Sequence, residues 1–395
     1  MRITHPVRGL FSKVRLRAGT VVLAAAAVLV PGVVATPSAQ AQIYTKLHIF
    51  TSAPDGQNPY GGLIRDLAGN LYGTTTFGGA YTFGTVFKVD ATGNETVLYS
   101  FRGADGAYPR STLIRDSAGN LYGTASGGGV LRQGTVFKVD TTGRETVLYS
   151  FAGGTDGAVP YGGLIGDAAG NLYGTTYYGG GHNYGTVFRL DTTGTETVLH
   201  RFAGGADGGT PMASLVRDAA GNLYGTTSVP RSWMPPTVFK VDPTGAETVL
   251  YNFTGGADGA YPYSPLIRDA AGKLYGTTHV GGAYGFGVVF KVDATGAETV
   301  LYSFRGGTDG RFPEAGLVRD LLGNLYGTTN RGGAFDNGVV FKLDTTGRET
   351  VLRTLAESDG ANPVSGLVID LTGNLYGTTF AGGLYRRGVV FKLKP

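Results

Sequence analysis

The chain has 395 residues, with 68 Gly, 23 Tyr, 20 Phe and no Cys, and a formal net charge of +4. The absence of Cys excludes a disulfide framework and a thiolate metal site, and the Gly residues follow no collagen-like triplet. Residues 1–41 hold five of the 33 Lys and Arg and none of the 29 acids, so the remainder carries 28 basic against 29 acidic residues; a nucleic-acid partner is not expected from so balanced a charge.

The N-terminus reads as a secretory signal. Arg2, Arg8, Lys13, Arg15 and Arg17 form a basic start. Residues 20–30, TVVLAAAAVLV, are an apolar run too short to span a bilayer, and residues 39–41, AQA, suit signal cleavage. The mature chain is expected to begin at Gln42 and to be secreted, extracellular or periplasmic. No later apolar run is long enough for a membrane span.

From residue 44 onward one pattern recurs seven times. LYGT has its Tyr at 72, 122, 173, 224, 275, 326 and 376, in steps of 50 or 51. The first copy offers four short strands, a to d: GGLIRD (61–66), NLYGTT (70–75), GTVFKVD (84–90) and ETVLYSF (95–101). They are rich in β-branched and aromatic residues. Strands a and b, and strands c and d, are joined by D-x-x-G, the signature of a type I turn followed by a left-handed Gly. Pro243 takes the second position of one such turn, where that turn type favours Pro.

Copy seven stops at GVVFKLKP (388–395), one strand short, while YTKLHIF (44–50) aligns with ETVLYSF (95–101) at a step of 51. A chain that starts with strand d and ends with strand c closes a ring. The expected fold is all-β: a single domain over 42–395, a seven-bladed β-propeller with four antiparallel strands per blade, closed by strand 44–50 on the C-terminal blade. A solenoid would instead need polar caps.

The phrase DxAGNLYGTTxxGG…GTVFKVDxTG.ETVLYSFxGGxDGxxP resembles the tandem GloVer repeat family of secreted bacterial proteins, and does so in all seven copies. The resemblance implies secretion and a repeat fold but no particular activity. Members often carry a C-terminal surface anchor, and no such anchor is recognisable in this chain. The shorter phrase D..GNLYG is similar to NHL and SMP-30-type propellers.

Most acids belong to the repeat. Thirteen Asp sit in D-x-x-G turns, seven in Asp-Gly pairs, and six Glu open strand d; only Glu314, Asp336 and Glu357 fall outside this pattern. A glycosidase needs two carboxyls in different environments, and a residue present in every blade is explained by the blade. His48 and His200 occupy the strand-d position of Tyr99 and Tyr149, which leaves His182 and His279 in loops. No Ser lies in a G-x-S-x-G context. Two sets form rings: Arg65, Arg115, Arg217, Arg268 and Arg319 at the end of strand a, and the seven Asp of Asp-Gly on the d–a connectors. The Arg are expected to pair with adjacent turn Asp residues, or else to face the channel. The Asp are expected to cap their own turns, or else to attract calcium at the channel mouth. No other cofactor is expected, and no metal is assigned.

The a–b and c–d turns share one face and hardly vary, whereas the b–c and d–a connections share the other and do. The b–c loops are rich in aromatics, with His, Asn and Arg between them. In blade four SVPRSWMPP (228–236) replaces the usual GG and holds the only Trp. The candidate ligand-binding residues are Trp233, Arg231, Tyr177, Tyr178, His182, Tyr184, His279, Tyr284, Phe286, Tyr385 and Arg386. They suit a monomeric, non-catalytic module that binds an extracellular polysaccharide or protein. The alternatives are a polysaccharide lyase or hydrolase working at the channel mouth with His182 or His279, and a structural surface protein.

Overall fold

In the computed structural model, residues 42–228 and 234–395 are described. The expected signal segment and the candidates Arg231 and Trp233 lie outside them. These described residues form one compact unit. It is an all-β propeller of seven antiparallel sheets, each running a, b, c, d from the axis outward. Strand a is only two residues long, as in Ile64–Arg65. The residues just before it line the central channel instead of joining the ladder. Blade two gains a fifth strand, Ala107–Pro109, on the outer end of its strand b.

The ring closes as expected. Ile43–Ile49 pairs antiparallel with Val389–Lys394, in a register running from Ile43 opposite Lys394 to Ile49 opposite Val389. The N-terminal strand is therefore strand d of blade seven, and every blade has its strands a to d.

The repeated phrase is explained by contacts. In D-L-A-G-N-L-Y, Asn70 donates its backbone N–H to Asp66 Oδ1 (2.8 Å) and its side-chain amide to Oδ2 (2.8 Å), and the Tyr72 hydroxyl donates to the same Oδ2 (3.0 Å). Asp, Asn and Tyr are thus one hydrogen-bonded unit, and Gly69 supplies the left-handed turn residue at φ 90°. Burial raises the Asp66 carboxyl pKa, but hydrogen bonds from Asn70 and Tyr72 outweigh it and leave the pKa below the usual range.

The Gly of LYGT is equally constrained. A Cβ at Gly174 would lie 2.6 Å from Phe188 Cζ and 3.1 Å from Leu164 Cδ2. Each strand-c Phe is fully buried. Six of them stand edge-to-face against the last Phe of the preceding blade's strand d, as Phe101 against Phe137 at 4.9 Å. The seventh interface offers a buried Leu355 in that position.

Candidate binding site at the channel mouth

Each d–a connector contains a non-glycine residue in the left-handed region just before its Pro: Asn58, Tyr108, Val159, Thr210, Tyr261, Phe312 and Asn362, with φ between 52° and 58°. Such a conformation costs about 1 kcal/mol or more and persists only where the surroundings impose it. Here the connector is bonded on both sides. Gln57 exchanges backbone hydrogen bonds with Phe77 of its own blade, and Asn58 N–H donates to Arg387 O of the preceding one at 2.7 Å. The paired Gly residues of the b–c loops make room for this: a Cβ at Gly179 would meet Gly157 Cα at 2.5 Å.

The corner delivers the residue after each Pro to the axis. Tyr60, Arg110, Tyr161, Met212, Tyr263, Glu314 and Val364 all line one open cavity of about 100 Å³. The backbone beneath is stitched between blades by strand-b threonines: Thr124 Oγ1 donates to Gly162 O (2.9 Å) and Thr175 Oγ1 to Ala213 O (3.2 Å). The frame is sevenfold, but the seven side chains it presents are chemically mixed.

Their neighbours are mixed too. The Arg110 guanidinium lies over the Tyr60 ring (5.6 Å) and the Tyr161 ring (5.2 Å). Tyr161 meets Tyr177 at 5.3 Å, and Tyr177 meets Tyr178 at 4.4 Å. On the opposite side His279 lies between Tyr263 (5.4 Å) and Phe312 (5.0 Å). Its Nδ1 is 3.2 Å from Glu314 Oε1, in an approach too skewed for a hydrogen bond. Asn330 Nδ2 donates to the same Oε1 at 2.9 Å, and Asn362 Nδ2 to Asn330 Oδ1 at 3.0 Å. Burial, and secondarily the Glu314 charge, pushes the Tyr60 phenol up to about 12. Burial raises Tyr263 in the same way. Both phenols therefore remain neutral hydroxyls at ordinary pH.

The structure gathers only some of the residues singled out from sequence. Tyr177, Tyr178 and His279 belong to the mouth. His182 is exposed at a loop tip away from it. Tyr184 and Phe286 pack into blade interfaces, Tyr184 beside Gly204 and Phe286 at 5.8 Å from Phe312. Tyr284 and Tyr385 are exposed. Arg305 covers the ring of Tyr284, and Arg386 pairs with Glu357 at 2.8 Å. Two further acids outside the repeat pattern have partners as well: Glu314 faces His279, and Asp336 pairs with Arg311 at 2.9 Å.

The two rings take positions of their own. The Arg of strand a are exposed, and they stack on the strand-b Tyr of the preceding blade instead of pairing with a turn Asp. Arg115 lies over Tyr72 at 5.7 Å and Arg319 over Tyr275 at 5.9 Å. Where Gly166 and Ile369 interrupt the set, strand-c lysines cover the orphaned rings: Lys138 over Tyr122 and Lys342 over Tyr326. The connector Asp residues lie beside strand d, the outermost strand, and none lines the channel cavity. Asp156 accepts from Ala152 N–H (2.7 Å) and from the Tyr149 hydroxyl (3.0 Å). Among the described residues no cluster of three or more His, Asp or Glu is placed to hold a metal ion.

Tyr60, Arg110, Tyr161, Met212, Tyr263, Glu314 and Val364 were not singled out as a set by the sequence reading. Their signal was present: in a chain of near-identical copies, the position after the connector Pro changes its chemistry from blade to blade.

The model of the Gloeobacter/Verrucomicrobia repeat matches residues 25–234 and 218–395. No curated protein matches the chain. Among solved structures, the extracellular domain of a protein described as a hybrid two-component system from B. thetaiotaomicron aligns at 11% identity and TM-score 0.59, covering 89% of this chain and 39% of that one. This chain thus spans well under half of that neighbour. A protein described as a 6-phosphogluconolactonase from Bacteroides uniformis aligns at 20% identity and TM-score 0.51, covering 81% and 89%. At these identities the likeness is one of fold. Among the described residues no helix is long and apolar enough to cross a membrane.

Proposed function

The chain belongs to the Gloeobacter/Verrucomicrobia repeat family, and from that premise we propose that the face carrying its b–c loops and d–a connectors is a binding surface for an extracellular glycan, centred on the channel mouth. One observation carries this reading: the residue after the connector Pro is Tyr in three blades and Arg, Met, Glu or Val in the others, on a backbone held the same way in all seven. A rigid scaffold presenting varied side chains at one place is the usual architecture of a recognition site. The tyrosine faces suit the C–H faces of sugar rings, and Arg110, Asn330 and the phenols suit their hydroxyls. Secretion, with cleavage after Ala41, is part of the proposal. No cofactor is called for.

The test is binding of residues 42–395 to a panel of plant and bacterial polysaccharides, with Tyr161→Ala and Trp233→Ala in parallel. Binding lost in Tyr161→Ala, with its melting temperature kept, supports the mouth. Binding lost only in Trp233→Ala moves the site to the loop of blade four. Absence of binding to every glycan rejects the reading and turns the search to a protein partner.

A second reading, glycan cleavage, is favoured by one observation: His279 and Glu314, from different blades, meet at the mouth. A His beside a carboxylate is a recurrent pair in acid–base catalysis, and apo geometry often tightens on substrate binding. New reducing ends or unsaturated sugars, abolished by His279→Ala, would establish it.

A further inference from the structure

We propose that the channel mouth anchors an acidic sugar, with Arg110 receiving its carboxylate; this deepens, and rests on, the glycan reading above. Arg110 comes from blade two, between Tyr60 of blade one and Tyr161 of blade three, and its guanidinium lies over both rings. None of the six ion pairs among the described residues involves it. Its Nε is shielded from water and has no hydrogen-bond partner. Arg311, Arg353 and Arg386, on the same face, each have a carboxylate. Among the described residues Glu314 is the only carboxylate lining the cavity; it accepts from Asn330 and has His279 beside it.

Stacking on aromatic rings attracts a guanidinium but does not neutralise it. It fixes the plane of the group and leaves the in-plane N–H edge without an acceptor. That edge matches a carboxylate through two parallel hydrogen bonds, and a fixed fork loses little freedom on binding. The Nε side is closed to solvent, so the carboxylate is received by the outer Nη groups, and charge-assisted hydrogen bonds there supply the gain.

The size of the site indicates which part of a ligand enters. A cavity of about 100 Å³ is far smaller than the roughly 300–1,000 Å³ of pockets that enclose a whole small molecule. It admits one edge of a sugar, the carboxylate side, while the ring lies over the flanking tyrosines and the rest of the chain crosses the loops. Aromatic walls favour a uronic acid over the flexible carboxylate of a peptide end.

The experiment is calorimetric titration of residues 42–395 with three probes: tri-galacturonate, its full methyl ester, and a neutral galactose trisaccharide. The acid should bind at least about tenfold tighter than the ester, the gain expected for one charge-assisted pair. Arg110→Gln should erase that preference, with acid binding falling about tenfold more than ester binding, and a cooperative melt shows that the variant is folded. Equal binding of acid and ester by the native protein overturns the anchor, and this comparison does not depend on whether the variant folds. Retention of the preference by Arg110→Gln overturns it too, as does equal binding of a sulfated, uronate-free glycan. If all three probes bind alike and Tyr161→Ala abolishes them, the glycan surface stands and the anchor alone falls. If no probe binds and an acidic peptide does, both fall.

Discussion

The a–b turns and the d–a connectors sit at opposite ends of strand a, are repeated seven times each, and behave differently under repetition. At the turn, the Asp, Asn and Tyr side chains are partners of one another: Asp66 accepts from Asn70 and Tyr72, and Arg115 of the next blade lies over the Tyr72 ring. A change in one leaves a buried or half-buried group without its partner, so Asp and Tyr recur in every blade. At the connector the fold is carried by backbone: a left-handed residue, a Pro, and main-chain hydrogen bonds to loops on both sides. The next side chain contributes little to that frame and is free to differ. Repetition records where neighbouring blades must fit, and its failure marks the face proposed above for binding.

The comparison is tested most severely by opening the ring. Removing residues 42–50 strips strand d from blade seven and uncovers the edge of Val389–Lys394, with Phe50 among the lost core residues. The shortened chain should aggregate on size-exclusion chromatography or melt more than about 5 °C lower. An unchanged melt would mean that closure contributes nothing.

The next effect separates two glycines. Gly174→Ala places a methyl against the Phe188 ring and Leu164 and should cost about 1–3 kcal/mol. At Gly154 nothing lies within 4 Å of the added carbon, so Gly154→Ala should be neutral within about 0.5 kcal/mol. Thermal denaturation of both reads the contrast directly, and equal losses would remove the packing account of LYGT.

Much of this frame was legible from the primary structure because a period of 50 or 51 residues sums one weak signal seven times. D-x-x-G gave the hairpins, and the match of 44–50 to 95–101 gave the closure. The mouth was only half legible. His279 and Tyr177 stood out because b–c loops were expected to carry function. Glu314 stood out as an acid outside the repeat. Tyr60, Arg110, Tyr161 and Tyr263 lie in the d–a connectors, whose variation is visible in sequence, but nothing local shows that the residue after the Pro is the one turned to the channel. That residues about 50 positions apart share one cavity follows from ring closure and not from local pattern. The Arg–Tyr stacks escaped for the same reason: each spans two blades.

A smaller effect concerns pH. Burial, and then the neighbouring connector Asp, pushes Glu145 up to about 7, and five other strand-d glutamates share the displacement. Below the ordinary value near 4.5 the carboxyl is protonated in folded and unfolded chains alike. As pH rises from there, the unfolded chain ionises first, so stability falls until about pH 7 and then levels. The turn aspartates act oppositely: hydrogen bonds lower their pKa values, and their contribution is lost as pH drops below about 4. The melting temperature should therefore peak in mild acid. Glu145→Gln should raise it at pH 8 and leave it unchanged at pH 4.5. A variant that shifts the melt equally at both would refute the buried-carboxyl account.

The smallest expected effect bears most on function. Met212 and Val364 line the mouth, are half-buried, and belong to none of the seven buried core clusters. Met212→Ala and Val364→Ala should each change stability by less than about 0.5 kcal/mol, the range of substitutions away from core and network. Loss of Leu215 or Leu367, three residues further on and fully inside, should cost about 2–5 kcal/mol on change to Ala. If the mouth residues proved as costly as the leucines, they would be frame, and their variation would reflect repacking from blade to blade. If they are cheap, no requirement of folding accounts for five kinds of side chain at seven equivalent positions around one channel, and selection by a ligand is the explanation left standing.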